Sequence, residues 1–402
     1  MGPIVRPDSR EQLSELVSRS AKDSTRFLFN PNRYETDFGV DHIGGQASFS
    51  TFGGFGGSMV LQASDLMGYH QVVTAVQLYR DLKDSDFLVM YMYLKHRLNI
   101  GGYFSQVNNY YPRTTLFQGQ RLNVYDNIRQ RSLGGFGSYP LNQYQRVEAG
   151  TDIYSYTSFQ AVNDDFGSGR PQQTLKAFLP FVAFVHDNSL WGFFGPLTGS
   201  RARLDLTITP RQYNTNLFGI AKADVRQYVR TGDLSNVAIR VAGGVSWGRD
   251  KQVFYVGGLP QWINFDQAFV VGEEQSNNLF AGFVWPVRGL NYYDLRGSKY
   301  AVVNLEYRFP LIWAVIGSFP FTILRNVGGV FFLDMARTWD PPNSQNGGVV
   351  FGGAPDRLLG GYGYGMRLNL GVLALKFDVA WQTDLEDTFG DARYYWSLGW
   401  DF

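Results

Sequence analysis

Along most of this chain the hydrophobic positions recur at every second residue. "RLDLTITP" places Leu204, Leu206 and Ile208 on one face and Arg203, Asp205 and Thr207 on the other. "IAKADVRQYVR" sets Lys222, Asp224 and Arg226 against Ala223, Val225 and Val229. "NVAIRVAGGVSW" turns Val237, Ile239, Val241, Val245 and Trp247 one way, with Arg240 opposite. "VLALKFDVAW" does the same with Leu373, Leu375, Phe377, Val379 and Trp381 against Lys376 and Asp378. A period of two is the signature of a strand with one apolar and one polar face. About sixteen such strands can be traced, many of roughly 10 residues or more, the length a tilted membrane strand needs. A soluble sandwich of ordinary size has no use for so many long strands. Asp81 to Asp86 and Leu197 to Ser200 read as tight turns, whereas residues 248–298 form one very long connection. Short turns at one end and long loops at the other fit a membrane barrel. The expectation is an all-β, transmembrane antiparallel β-barrel of about 16 strands over residues 31–402. Residues 1–30 are read as a periplasmic N-terminal helix and linker, with Ser9 and Gln12 spaced as a capping box and Leu13, Leu16 and Val17 at helical spacing.

The chain closes on "RYYWSLGWDF", in which Tyr394, Trp396, Leu398, Trp400 and Phe402 alternate with Tyr395, Ser397, Gly399 and Asp401. An aromatic row of this kind needs an apolar cover, and lipid at the membrane boundary supplies one. Trp396, Leu398, Trp400 and Phe402 also look like the C-terminal strand signal read by outer-membrane assembly machinery.

Composition narrows the choice. The 402 residues carry 36 Lys and Arg against 35 Asp and Glu, a formal net charge of +1, which argues against a nucleic-acid partner. Forty-six glycines and 65 aromatic residues (24 Tyr, 32 Phe, 9 Trp) accompany a mean hydropathy of −0.20. That mixture arises when one strand face meets lipid and the other water. The longest apolar stretch, Pro310 to Phe321, is too short for a spanning helix. Without cysteine, thiolate chemistry and disulfides are excluded. "MGPIVRPDSR" has no apolar core of a signal peptide.

Catalytic and cofactor signals are weak. "GVSWG" (Gly244 to Gly248) fits G-x-S-x-G but sits at a strand end with no helix expected after it. "GGFGGS" (Gly53 to Ser58) lacks the Lys and helix of a phosphate loop. His42, His70, His96 and His186 are scattered, and Asp37, Asp41 and His42 fit alternation as polar lumen groups. No cofactor, metal or catalytic residue is expected.

One constellation stands out in "VWPVRGLNYYDLRGSKYAVVNLEYRFPL". Val287-Arg288-Gly289-Leu290 resembles the V-R-G-F/Y tip of the inward-folded loop of BamA-superfamily outer-membrane barrels, which insert or export other proteins. "NLEYRFP" (Asn304 to Pro310) looks like the strand after that loop, and "FLDMARTW" (Phe332 to Trp339) like the next strand, where the family usually shows F-x-D-x-G. "SDLMGYHQ" (Ser64 to Gln71) and "DNSLWGFFGPLTGSRARL" (Asp187 to Leu204) look like turns of the barrel half of TolB–BamA fusion proteins. The resemblance spans roughly residues 33–402 and departs from the pattern at Ala336, in place of Gly, and at Leu290, in place of an aromatic. Parity puts Glu306 and Asp334 each on the polar face of its strand, and in the barrel that the resemblance implies both point into the lumen, where one guanidinium fork can bind them. The resemblance implies that Arg288 fixes the loop in the lumen through Glu306 and Asp334, with Gly289 making the turn.

It further implies a multi-pass protein of the bacterial outer membrane, of surface-antigen type and without enzyme activity. Such a barrel inserts or translocates unfolded outer-membrane or secreted proteins through a seam between residues 33–43 and 392–402. Gly44, Gly45 and Gly399 would weaken pairing there. Partners would be outer-membrane lipid, the protein substrates and periplasmic accessory subunits on other chains, since about 30 residues hold neither POTRA repeats nor a propeller. The competing expectation is a passive pore or structural scaffold subunit of an outer-membrane complex.

Overall fold

A computed structural model describes residues 14, 34–50, 54–78, 85–117, 120–160, 170–192, 195–211, 217–260, 262, 282–284, 286–291, 294–314, 325–340, 357–369 and 374–398. The helix read over residues 1–30 lies, apart from Ser14, outside the described residues, as do Gly399, Trp400 and Phe402.

Strands run in chain order as β1 (Phe38–Ser50), β2 (Gly54–Asp65), β3 (His70–Leu78), β4 (Asp86–Tyr93), β5 (Asn99–Phe117), β6 (Gln120–Pro140), β7 (Gln145–Gln160), β8 (Arg170–Asp187), β9 (Leu190–Gly192), β10 (Gly195–Ile208), β11 (Phe218–Arg230) and β12 (Asn236–Gly248). Three short strands follow, β13 (Phe254–Val256), β14 (Gly282–Val284) and β15 (Leu295–Gly297). The last five are β16 (Lys299–Ala314), β17 (Arg325–Trp339), β18 (Leu359–Asn369), β19 (Ala374–Thr383) and β20 (Thr388–Leu398). Seventeen strands form one sheet, and β13 to β15 form a small second one. Setting aside three-residue β9, the large sheet is a sixteen-stranded antiparallel meander in which each strand pairs with the next. Its two ends are β1 and β20. Among the described residues no ladder joins them.

Alternation decides the two faces. On β10 and β16 the side chains of Leu204, Leu206, Val303, Leu305 and Tyr307 are exposed, while Asn304, Glu306 and Arg308 are buried. On β17 Phe331 is exposed, and Phe332 and Asp334 are buried. An apolar exterior around a polar interior is the inverse of a soluble core and is the pattern of a transmembrane barrel. Aromatic rings gather on the outer face near the chain end: Phe377 lies 4.6 Å from Trp396, and Tyr362 stacks on Trp381.

The interior is filled by the connection between β12 and β16. Residues 252–259 are buried throughout, and β13 pairs with both β14 and β15 inside the barrel. Phe254, Val256, Val287, Leu290 and Leu295 pack with Ala242, Tyr300, Val302, Ala336 and Leu359 from the barrel wall.

One expected turn is not a turn. Leu197 to Ser200 lie within β10, which makes a register shift between Pro196 and Thr198 where it pairs with β9. Gly199 adopts φ +101, and a Cβ there would come 2.6 Å from the Asn188 carbonyl oxygen. A glycine inside a strand marks a bulge or a close backbone approach as readily as a reversal.

Candidate functional site

The buried connection ends in the tetrapeptide Val287 to Leu290, all four residues shielded from solvent. Val287 forms an isolated bridge with Gly258, which ties the tip back to the segment after β13. Gly289 adopts φ +89, a conformation costly for any residue with a Cβ. This turn aims Arg288 at the inner face of β16 and β17.

The β16–β17 register sets Asn304 opposite Asp334 and Glu306 opposite Phe332, so both carboxylates face one spot. Arg288 donates from Nε to Asp334 Oδ2 at 2.6 Å and from Nη2 to Asp334 Oδ1 at 2.8 Å. Its own backbone N–H donates to Asp334 Oδ2 at 3.0 Å. Nη2 also lies 2.7 Å from Glu306 Oε1, an ion-pair contact rather than a well-aligned hydrogen bond. The guanidinium carbon stands 3.7 Å from the ring centre of Phe332, close enough for cation–π attraction. Asn304 donates from Nδ2 both to Asp334 Oδ1 and to the Pro286 carbonyl, each at 2.8 Å. Arg308 donates to Glu306 Oε2 from Nε at 2.8 Å and from Nη2 at 2.7 Å. Two cations therefore meet two carboxylates, and the buried charge balances.

The network continues along the wall. Arg240 on β12 donates to Asn304 Oδ1 at 3.1 Å and pairs with Asp224 on β11 at 2.8 Å. Asp224 also pairs with Arg226 at 2.8 Å. On β18 and β19, Arg367 pairs with Asp378 at 2.7 Å.

Of the residues singled out from the sequence, Arg288, Gly289, Glu306 and Asp334 come together here. Trp396 lies on the outer face of β20, Leu398 ends that strand, and Trp400 and Phe402 are outside the described residues. Ser246 of the G-x-S-x-G stretch is buried in β12, where its hydroxyl accepts from the Gln252 backbone N–H at 2.8 Å. His70, His96 and His186 each engage a hydroxyl, of Tyr91, Tyr93 and Ser200 respectively.

Two features escaped sequence reasoning. Gly361, on the inner face of β18, forms the floor beneath the tip: a Cβ there would overlap the Arg288 carbonyl oxygen and lie 2.9 Å from Gly289 Cα. Tyr395, fully buried on β20, accepts the Gly289 N–H at 2.8 Å and donates to the Leu290 carbonyl at 3.3 Å. The inward parity of Tyr395, opposite Tyr394 and Trp396, was the available signal for it.

Fold and interior together define a transmembrane antiparallel β-barrel with one long connection folded into its lumen. The Omp85 superfamily domain matches residues 102–402, and the chain belongs to that superfamily. Among solved structures it resembles BamA from Haemophilus ducreyi lacking POTRA domains 1-3, with a TM-score of 0.56, 13% identity, and coverage of 95% of this chain and 77% of that one. It also resembles CdiB from Acinetobacter baumannii, with a TM-score of 0.50, 13% identity, and coverage of 91% of this chain and 60% of that one. No curated protein matches the sequence.

Proposed function

We propose that this Omp85-superfamily barrel inserts proteins into, or passes them across, a bacterial outer membrane through a seam between β1 and β20. The observation that carries the reading is the Omp85 superfamily match over residues 102–402, and among the described residues β1 and β20 share no ladder. An unpaired strand edge is a template for strand addition by an incoming chain. Arg288 acts as the pin of the lumenal loop, holding it against Glu306 and Asp334 so that the barrel wall beside the seam stays in shape. The work is mechanical, with no chemistry on a substrate. Substrates are unfolded outer-membrane or secreted proteins, delivered by periplasmic subunits on other chains, and residues 1–30 form the periplasmic lead-in. Trp396, Leu398, Trp400 and Phe402 are the signal by which this barrel is itself assembled.

The test is photo-crosslinking in native outer membranes, from probes at Val40 on β1 and Tyr394 on β20, both on the exposed face. Capture of unfolded barrel proteins identifies an assembly factor, and capture of one secreted protein identifies a dedicated exporter. Recovery of fixed stoichiometric neighbours alone refutes both and leaves a structural scaffold.

A further inference from the structure

Beyond the loop tip the lumenal connection meets β20 again, in an ion pair of Asp294 with Arg393 at 3.5 Å and at Trp262. Trp262 forms an isolated antiparallel bridge with Ser397 of β20. Ser397 is already paired on its other side with Lys376 of β19. A strand has only two hydrogen-bonding edges, so Trp262 occupies the edge of β20 that faces the seam. Its indole lies 4.6 Å from the ring of Tyr395, two residues along the same strand and on the same inner face. Leu259, three residues earlier, is buried with Val330, Phe332, Ala380 and Tyr395, and Trp262 packs against that cluster. The backbone bridge and the ring contact thus seat the same residue on the same strand.

We propose that Trp262 is a built-in cap on the seam edge of β20: it takes the place of a partner strand at rest and leaves when that edge accepts another strand. The proposal rests on the seam assigned above but not on any particular substrate. The position suits a cap. An aromatic anchor held by a cluster is a stable seat, while a single bridge is a small backbone commitment. The same Tyr395 that packs against Trp262 also bonds the loop tip at Gly289. Release at Trp262 is therefore felt at the tip, and binding at the edge is coupled to the loop's position.

The chain has no cysteine, so Trp262→Cys with Ser397→Cys offers a single disulfide. Directly opposed antiparallel residues lie about 4.5–5.5 Å apart at Cα, inside the range a disulfide spans. The full chain in nanodiscs is oxidised or reduced and titrated with a fluorophore-labelled peptide of residues 38–50, the sequence of β1. The expected result is ready disulfide formation, peptide binding to the reduced form and none to the oxidised form. Trp262→Ala in the cysteine-free chain should bind the peptide on the order of tenfold more tightly than wild type, because no cap must be displaced. Failure of the disulfide to form overturns the cap. So does equal response of oxidised and reduced forms to the peptide, including no binding to either. If crosslinking in membranes finds no substrate at the seam, the functional reading fails while this peptide arm still reads the cap on its own.

Discussion

The guanidinium of Arg288 is the point on which the interior turns, and its removal leaves Asp334 without a cation and Glu306 with Arg308 alone. In Arg288→Ala, Asp334 and Glu306 stay buried without their shared cation, a loss of about 3–5 kcal/mol. Urea unfolding followed by heat-modifiable gel mobility should show a lower midpoint. Arg288→Lys should recover only part of it, since an ammonium keeps the charge but not the fork that reaches both oxygens of Asp334. Equal midpoints for all three proteins would refute the pin. At this scale the charged partners were legible in the sequence, because parity sorts Asn304, Glu306 and Asp334 onto the polar faces of their strands and the order of the V-R-G and following strand motifs matched Arg288 to them. Tyr395 was less legible. Its inward position could be read, but its bonds to Gly289 and Leu290 depend on where a distant loop tip comes to rest.

Strands in this barrel also fit by what they omit. Gly361 leaves space for the loop tip, and Gly134 on β6 leaves space for Tyr103 of β5 to cross it and donate to Asp152 of β7 at 2.6 Å. A ring laid over a strand glycine covers the exposed backbone and ties three neighbouring strands together. Gly361→Ala forces the tip or β18 to shift, with an expected cost of about 1–3 kcal/mol. It should also speed protease cleavage of the lumenal loop. Gly39→Ala on β1 is the control, because a Cβ there meets only the Ser64 carbonyl at 4.0 Å. Unchanged cleavage in Gly361→Ala would show that the floor is not needed. Glycines of this kind are poorly legible in sequence, since a gap in one strand is explained only by a bulky group on another. For the same reason Leu197 to Ser200 read as a turn, although Gly199 serves a bulge beside Asn188.

Taken whole, a sixteen-stranded barrel with an empty lumen conducts ions freely. Here residues 252–259 and 287–290 occupy that lumen. Planar-bilayer recordings should therefore show small or flickering conductance for the wild type and a larger, steadier channel for Arg288→Ala. A large steady channel in the wild type would mean that the loop does not plug. The barrel and its sixteen strands were legible from period, strand length and aromatic chain end. The filled lumen was legible only through the V-R-G motif, because residues 252–259 show no alternation that assigns them to either face. The reach of the Arg288 network along the chain also bears on time. Among the described residues its most distant hydrogen bond, Gly289 to Tyr395, spans 106 positions, and none of the bonds to Arg288 or Gly289 comes from a strand before β16. Closing β1 onto β20 gathers almost the entire chain, and such long closures are slow. The C-terminal half is therefore expected to settle around its loop while β1 to β8 are still finding their places, an interior finished before the wall, which pulsed proteolysis during refolding would read as early protection of β16 to β20.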